Sequence, residues 1–345
     1  MLAQAQNSPV NFREAMFYRK LDNKKVVCEL CPRSCVISSG KRGFCRNREN
    51  VDGKLYSVVY NRPVSIGIEP IEKAPFYHFM PGAMRLTLAT VGCNQHCKYC
   101  QNWEISQRSV EEVENYYLSP EDIIKLAQEK KVKIICFTYT EPIVFYEYMY
   151  DIAKLARKEG LKSVVVTGGY INPKPLHELT KVVDAIKIDL KGFNEKFYNE
   201  VCNSELAPVL EAIKIVKQSN VHLEIVNLVV PTLNDDTNEI KAMCLWIKEN
   251  IGSEVPIHFS RFFPQYKLQK LPPTPITTLE RSAQIAKQVG LKYVYLGNVF
   301  GHELENTYCP QCHKLLIKRQ GYSILENNIL KGQCKFCGEK IYGVF

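Results

Sequence analysis

Three thiols fall within the stretch Cys93-Asn94-Gln95-His96-Cys97-Lys98-Tyr99-Cys100, which follows an apolar run over residues 84–91. That run alternates in the manner of a β-strand. Thiolates are soft ligands that suit zinc, copper(I) or iron–sulfur clusters. Three of them at these spacings can hold three irons of a four-iron cluster while the fourth iron stays open. An open iron is a place where chemistry can occur.

Structural zinc is the alternative for this stretch, because His96 can supply a fourth ligand. However, His96 is adjacent to Cys97, and both side chains reaching one ion would strain the loop. The spacing also differs from the paired knuckles of zinc ribbons, and the nearby fourth cysteine of ferredoxins is missing. Tyr99 adds an aromatic surface on which a flat ring can stack. The pattern therefore favours an iron–sulfur cluster with one open iron.

Composition indicates a globular metalloprotein. The chain has 345 residues, 46% of them hydrophobic, which suffices for one large core with small appendages. Its net charge of +9 is spread without a long run of like charges, so a nucleic-acid partner is not indicated. No stretch reaches the roughly 20 apolar residues that cross a bilayer. Eleven of the 14 cysteines fall in three clusters, which indicates metal binding in a reducing compartment, and we expect a cytoplasmic protein.

The first cysteine cluster lies near the N-terminus. Its members are Cys28, Cys31, Cys35 and Cys45. Four thiols at these spacings can close a zinc site or hold a second iron–sulfur cluster, and spacing alone does not separate the two metals. Residues 61–82, rich in proline and aromatic residues, are typical of an extended connector lying on the main domain.

From residue 84 onward, strand-like runs alternate with helical stretches, the pattern of an α/β fold with a parallel sheet. The predicted strands span residues 85–90, 133–138, 162–167, 185–190, 223–230, 256–259 and 293–296. The predicted helices include residues 120–130, 143–158, 208–219, 236–250 and 278–289. Six or seven such units are fewer than the eight of a closed barrel. We therefore expect a partial (β/α)6-type TIM barrel with an open side and its chemistry at the C-terminal strand ends.

Polar residues stand near the C-terminal ends of these strands. Glu141 follows the second strand, where a carboxylate can also cap the next helix. Thr167 ends the third strand, before two glycines that allow close approach of a ligand or form a plain turn. Asp189 and Lys191 point to the same side of the fourth strand, as ligand contacts or as a salt bridge. His258 is either a ligand contact or a core residue.

The C-terminal segment carries the third cysteine cluster. Its members are Cys309, Cys312, Cys334 and Cys337. Their paired-knuckle spacing is typical of a zinc ribbon, and a module this small needs a bound metal ion to be stable. The chain is thus predicted to comprise an N-terminal cysteine-rich module with its connector (residues 1–82), a barrel (83–302) and a zinc-ribbon-like module (303–345).

Several motifs together resemble those of radical S-adenosylmethionine (SAM) enzymes, and in particular of the radical SAM member of the AmmeMemoRadiSam system. The motifs are the three-cysteine stretch with its aromatic Tyr99, then Tyr139-Thr140-Glu141-Pro142, His258-Phe259-Ser260-Arg261-Phe262 and Glu305-Asn306-Thr307-Tyr308-Cys309-Pro310. That group is similar to pyruvate formate-lyase activating enzymes and is encoded beside Memo-like and AMMECR-like proteins. Tyr139 and Thr140 replace two glycines that are usual in radical SAM enzymes.

The resemblance implies a [4Fe-4S] cluster on Cys93, Cys97 and Cys100 that cleaves SAM to a 5'-deoxyadenosyl radical, which abstracts hydrogen from an unknown substrate. A flavodoxin- or ferredoxin-like donor would supply the electron. The SAM contacts implied are Tyr99, Glu141 for the amino group, Thr167, Asp189, Lys191 and His258. Two alternatives are an activating enzyme that installs a glycyl radical on a partner protein, and a metal-stapled protein- or RNA-binding module without catalysis.

Overall fold

The computed structural model describes residues 12–345. Its N-terminal part forms two small antiparallel sheets, in the orders β1-β6-β5 and β2-β3-β4. The strands are β1 (Arg13–Glu14), β2 (Tyr18–Lys20), β3 (Val26–Cys28), β4 (Val36–Ile37), β5 (Arg48–Val51) and β6 (Lys54–Ser57). Cys28 ends β3, and the turns that follow carry Cys31, Cys35 and Cys45.

An eight-stranded sheet forms the centre of the molecule, in the order β14-β13-β12-β11-β10-β9-β8-β7. The strands are β7 (Ser65–Pro70), β8 (Met84–Ala89), β9 (Ile134–Phe137), β10 (Lys162–Thr167), β11 (Ala185–Asp189), β12 (His222–Val229), β13 (Ile257–Arg261) and β14 (Val294–Gly297). Strands β8 to β14 are mutually parallel, and each corresponds to one of the predicted strands. The α/β class and the parallel sheet are therefore confirmed.

Strand β7 corrects the prediction that residues 61–82 form a connector lying on the main domain. It pairs antiparallel with β8 from Ser65 opposite Ala89 to Pro70 opposite Met84. Glycine and proline are poor strand formers, so the sequence Ser-Ile-Gly-Ile-Glu-Pro does not read as a strand. Proline is tolerated here because β7 is an edge strand. The boundary predicted at residue 82 therefore lies inside the central sheet.

Helices cover the sheet between its strands. They are α1 (Trp103–Ser106), α2 (Pro120–Glu129), α3 (Tyr146–Lys158), α4 (Pro173–Leu179), α5 (Glu195–Phe197), α6 (Leu206–Gln218), α7 (Thr237–Asn250) and α8 (Ile276–Val289). Shorter turns of helix span Ile71–Lys73, Val110–Glu112, Pro142–Phe145, Tyr198–Cys202 and Glu303–Glu305. The predicted helices are all present, and α2 begins with a Ser119 cap that accepts from the backbone of Asp122. Among the described residues, no helix is long and apolar enough to cross a membrane.

The C-terminal part shares a core with the central sheet. Its strands are β15 (Thr307–Tyr308), β16 (Leu315–Gln320), β17 (Ser323–Asn327), β18 (Ile329–Leu330) and β19 (Gln333–Cys334). Leu316 and Ile317 pack in one buried cluster with Tyr77 and Tyr295. Near its last residues, Val344 exchanges backbone hydrogen bonds with His78 and Met80 at 2.8 and 2.7 Å. This part of the chain therefore contacts residues 77–80 through both its side chains and its backbone.

A buried polar network fills the lower layer of the sheet. Glu224 accepts hydrogen bonds from the backbone of His78 at 2.8 Å and contacts the rings of His258 and His222 at 2.7 and 3.0 Å. Burial lowers the pKa of His78 to about 3. Burial raises the pKa of Glu224, but hydrogen bonds from His222 and His258 outweigh it and hold this pKa well below its usual value. The native state therefore contains a neutral His78 and an ionised Glu224.

This network predicts that acid destabilises the fold. The unfolded chain protonates His78 near its ordinary pKa of about 6.5, whereas the folded chain does so only near pH 3, so folding stability falls as pH decreases between these values. Glu224 acts in the same direction at lower pH, because its folded pKa is depressed. We expect urea unfolding to give a smaller free energy at pH 5 than at pH 7. A His78→Gln variant should show a weaker pH dependence of the free energy of unfolding, whereas the exposed His177→Gln control should keep that of the parent chain. Equal free energies of unfolding at pH 5 and pH 7 for the parent chain would contradict the expectation.

Candidate functional site

The three-cysteine loop follows β8 and is held against the N-terminal module. Gly92 has a φ of +88°, and a Cβ there would lie 2.6 Å from the carbonyl oxygen of Cys45 and 2.5 Å from Asn47 Oδ1. Asn47 donates a buried hydrogen bond from Nδ2 to the Val91 carbonyl at 2.6 Å. Only glycine fits this turn, because both the left-handed conformation and the space exclude a side chain.

Further contacts fix the course of the loop. The backbone nitrogens of His96 and Lys98 donate to the carbonyls of Cys202 and Val201 at 3.0 and 2.9 Å. The ring of His96 stacks on Phe44, with centroids 4.1 Å apart. His96 does not line the cavity described next, so the structure gives no support to the zinc alternative in which it is a ligand.

A cavity of about 390 Å³ opens at the C-terminal ends of the parallel strands. Its volume is in the range typical of small-molecule and cofactor sites. The three cysteines of the loop line it, together with five of the six residues predicted to contact SAM: Tyr99, Glu141, Thr167, Asp189 and Lys191. Residues that lie far apart in the chain thus meet at the edge where such sheets place their chemistry.

The sulfur atoms of the loop are less closely gathered than those of the C-terminal cysteines. Two thiolates on one zinc lie at most about 4.6 Å apart, twice the Zn–S bond length. The four C-terminal cysteines have sulfur atoms that all lie within 4.8 Å of one another. Within residues 12–345, no other group of three or more His, Cys, Asp or Glu ligands is this close. At least one sulfur pair among Cys93, Cys97 and Cys100 is therefore wider. This spacing fits a cluster in which each thiolate binds a different iron.

The surroundings of the thiols are polar. Cys100 Sγ lies 3.2 Å from Ser106 Oγ, and the backbone nitrogen of Gln95 donates to Cys93 Sγ at 3.3 Å. The pKa of Cys97 is lowered to about 7, first by its hydrogen bond with Cys202 and then by the charge of Lys191, which together outweigh burial. The loop therefore favours a thiolate at Cys97, the form that binds metals.

Glu141 is buried, and its carboxylate is held in one orientation. Oε1 accepts a hydrogen bond from Thr167 Oγ1 at 2.6 Å, and Oε2 accepts from the backbone nitrogen of Gly168 at 2.8 Å. Burial raises the pKa of Glu141, although these two hydrogen bonds act in the opposite direction. Glu141, which follows β9, thus connects the ends of β9 and β10 at the edge of the cavity.

Tyr139 occupies a backbone conformation that normally favours glycine, with a φ of +68°. Its hydroxyl donates to Glu69 Oε1 at 2.5 Å, and its carbonyl accepts from Asn102 Nδ2 at 2.7 Å. The neighbouring Thr140 hydroxyl donates to the Thr90 carbonyl at 2.8 Å. The loop therefore keeps a glycine-like shape although Tyr139 and Thr140 stand where two glycines are usual, and side-chain hydrogen bonds hold it there.

Three charged residues alternate along β11 and just beyond its end, and all three line the cavity. Lys187 Nζ lies 3.1 Å from Asp189 Oδ1, and Lys191 Nζ lies 3.7 Å from Asp189 Oδ2. Burial raises the pKa of Asp189, but the charges of both lysines outweigh it and hold the pKa below its usual value. Lys187 was not among the predicted site residues, although the two-residue period of the strand places it on the same face.

His258 is not part of the cavity wall, which corrects the prediction that it contacts SAM. It is fully buried and its Nε2 contacts Glu224 Oε2 at 2.7 Å, while Tyr77 packs edge-on against its ring at 4.8 Å. Ser260, two residues further along β13, lines the cavity instead. Both side chains share one face, but successive inward residues of a barrel strand occupy different layers, and His258 lies in the layer below.

Two aromatic residues that the sequence analysis missed stand at the mouth of the cavity. Phe300 follows β14 and is 65% exposed, and Tyr322 lies in the turn between β16 and β17. Their rings meet edge to face, with centroids 5.4 Å apart, and both residues line the cavity. The C-terminal hairpin therefore forms part of the wall, a long-range contact that no local sequence pattern reports.

The C-terminal cysteines form a compact tetrad. The sulfur atoms of Cys309 and Cys337 are 3.6 Å apart, and those of Cys312 and Cys334 are 3.7 Å apart. These separations match thiolates placed tetrahedrally around one ion. The tetrad can therefore hold a single metal ion.

Comparison with known proteins identifies the family. The model of the Radical SAM superfamily matches residues 87–244. An uncharacterized protein of Methanocaldococcus jannaschii is 48% identical over 331 residues, which cover 95% of this chain and 98% of that protein. The chain belongs to the radical SAM superfamily. Membership implies an enzyme that uses a [4Fe-4S] cluster and SAM, in place of the binding module without catalysis.

More distant radical SAM relatives include activating enzymes. The pyruvate formate-lyase-activating enzyme of Clostridium pasteurianum is 24% identical over 177 residues, which cover 49% of this chain and 71% of that protein. The structure of a domain of such an enzyme from Bacteroides vulgatus matches with a TM-score of 0.43 and 19% identity, covering 47% of this chain and 98% of that one. The similarity to pyruvate formate-lyase activating enzymes is confirmed by the sequence match.

Proposed function

We propose that this protein holds a [4Fe-4S] cluster on Cys93, Cys97 and Cys100 and uses SAM to start hydrogen abstraction from its substrate. The observation that carries the proposal is that these three cysteines open into one cavity with Glu141 and Lys191. When bound, the cluster and SAM supply a one-electron cleavage that yields a 5'-deoxyadenosyl radical. The chain itself orients the reactants and excludes water at the closed end of a partial barrel.

The residues around the cavity suit the polar groups of SAM. Glu141 can accept from its ammonium group, while the Lys191 ammonium can pair with its carboxylate. Thr167 and Asp189 offer oxygen atoms to the ribose hydroxyls. Tyr99 supplies an aromatic face at the wall, although most of its ring packs on Phe197, with centroids 6.1 Å apart.

A Glu141→Gln variant tests the amino-group contact. Hydrogen bonds to charged groups contribute about 1.5–3 kcal/mol, so we expect SAM affinity to fall by roughly 10- to 150-fold. Affinity is measured by calorimetry under anaerobic conditions on protein with equal iron content. The exposed Glu121→Gln variant, in the first turn of α2, is the matched control. Unchanged SAM affinity in Glu141→Gln would remove this residue from the site.

The walls of the cavity favour a substrate other than a glycyl radical enzyme. Tyr77, Phe300 and Tyr322 come from segments outside the parallel strands and line the cavity. A protein loop carrying a glycine needs a wide mouth, whereas aromatic side chains placed around the cavity suit contact with a smaller molecule. We therefore propose radical modification of a substrate of small size.

Activation of a glycyl radical enzyme is the second candidate, because the chain is similar to a pyruvate formate-lyase-activating enzyme. Reconstituted protein is first shown to form 5'-deoxyadenosine from SAM with dithionite as reductant. It is then incubated with SAM and pyruvate formate-lyase, and an electron paramagnetic resonance spectrum is recorded. A glycyl doublet would establish the activating function and overturn the small-substrate proposal, while failure to form 5'-deoxyadenosine would overturn both.

The remaining assignments follow from the motifs. We place the protein in the AmmeMemoRadiSam system, with Memo-like and AMMECR-like proteins as partners and a flavodoxin- or ferredoxin-like electron donor. The sulfur spacing of the C-terminal tetrad supports structural zinc. Clusters of free cysteines support a cytoplasmic location.

A further inference from the structure

A second set of cysteines surrounds a cavity in the N-terminal module. Cys28, Cys31, Cys35 and Cys45 all line this cavity, with Ile37 and Leu30 between them. Cys28 is buried, the other three cysteines are partly buried, and none of the four forms a disulfide. Four convergent thiols without a disulfide indicate a metal centre.

The sulfur atoms of these cysteines are less closely gathered than those of the C-terminal tetrad. In the C-terminal tetrad, all four sulfur atoms lie within 4.8 Å of one another. Among the described residues 12–345, no three of the N-terminal cysteines meet that limit. Two sulfur atoms bound to one zinc ion lie no more than about 4.6 Å apart, which is twice the Zn–S bond length. In this respect the N-terminal cysteines match Cys93, Cys97 and Cys100 rather than the tetrad.

Two arginines stand in the walls of the cavity, and one of them approaches a sulfur atom. Arg48 is 1% exposed, and its Nη1 lies 3.6 Å from Cys28 Sγ. The same guanidinium pairs with the buried Glu147 of α3 and donates to the Met16 carbonyl at 2.8 Å. Arg33 also lines the cavity. Fixed cations and hydrogen bonds to sulfur are the groups by which proteins tune iron–sulfur clusters.

The cavity lies directly behind the three-cysteine loop. Asn94, the neighbour of Cys93, is part of its wall, and Arg33 Nε donates to the Asn94 carbonyl at 2.5 Å. Phe44, the neighbour of Cys45, stacks on His96 of the loop. One wall is therefore shared between the N-terminal cysteines and the loop that carries Cys93.

We propose that Cys28, Cys31, Cys35 and Cys45 hold a second iron–sulfur cluster, packed against the three-cysteine loop, and not a zinc ion. The proposal does not depend on SAM cleavage, because it rests on the sulfur spacing and the cavity of the N-terminal module.

The test is metal analysis of a full-length Cys93→Ala/Cys97→Ala/Cys100→Ala variant, reconstituted anaerobically with iron and sulfide. We expect it to retain at least about two irons per chain with an equal amount of inorganic sulfide, a brown colour and a Mössbauer spectrum of cluster iron. Adding Cys31→Ser and Cys35→Ser to this variant should remove the iron. Adding Cys244→Ser, at a lone cysteine of α7, should not. One zinc per chain, on the C-terminal tetrad, should be present throughout.

A triple variant that holds two zinc ions per chain and no iron would overturn the proposal. If the triple variant fails to fold, the parent protein decides: more than about four irons per chain supports the second cluster, while about four irons with two zinc ions contradicts it. These outcomes are independent of whether the parent protein forms 5'-deoxyadenosine, so this proposal and the proposed function can fail separately.

Discussion

Anaerobically reconstituted Cys97→Ala protein is expected to form no detectable 5'-deoxyadenosine from SAM. With two thiolates left, a second iron loses its protein ligand and the cluster is no longer held in the cavity. Loss of a central catalytic element lowers turnover by at least about a thousandfold, and Cys93→Ala and Cys100→Ala should behave in the same way. Chromatographic measurement of 5'-deoxyadenosine, with dithionite as reductant, provides the readout.

A matched control is available for this experiment. Cys244 is buried in α7, away from the cavity, and belongs to none of the three clusters. Cys244→Ala should keep SAM cleavage, with at most a loss of stability from the missing sulfur atom. Turnover by any of the three loop variants at the level of this control would show that the cluster is elsewhere.

The second large effect is expected in stability. Replacing Cys334 by serine removes a ligand of the C-terminal tetrad, whose metal supplies folding energy of about 10 kcal/mol or more in isolated zinc modules. Cys334 and Cys309 lie in the same buried cluster as Tyr77 and Tyr295, so loss of the metal should loosen this side of the barrel. We expect a lower melting temperature and rapid proteolysis within residues 303–345. Calorimetry and limited proteolysis measure these changes.

In this second experiment, we expect the stability of the fold to change and SAM cleavage to be retained. The surviving folded fraction of Cys334→Ser should still cleave SAM, because the tetrad does not line the cavity. His313→Asn is the control, since His313 is exposed, adopts a φ of +57° that asparagine tolerates, and lies next to the ligand Cys312. Normal melting with lost SAM cleavage would instead assign the tetrad a role in catalysis.

The strands of the sheet were predictable because parallel strands are buried on both faces and appear as apolar runs. Strand β7 was not predicted because Gly67 and Pro70 are unusual in strands, although an edge strand tolerates them. Helix α4 was missed because Pro173 and Pro175 suggest a break, although proline is favoured in the first turn.

The site was predictable where one motif or one strand carries it, as for Cys93 and Asp189. The layer that holds His258 depends on where each strand enters the barrel, which periodicity does not report. Tyr322 reaches the cavity only through tertiary packing of the hairpin. The choice between metals at Cys28 depends on sulfur separations, and these are a property of the fold and not of the spacing along the chain.

The C-terminal part contacts the cavity through Tyr322 and the buried layer around His78 through Val344, so it acts as a clamp fixed at two points. We expect such a clamp to prevent the whole module from swinging away when a substrate enters.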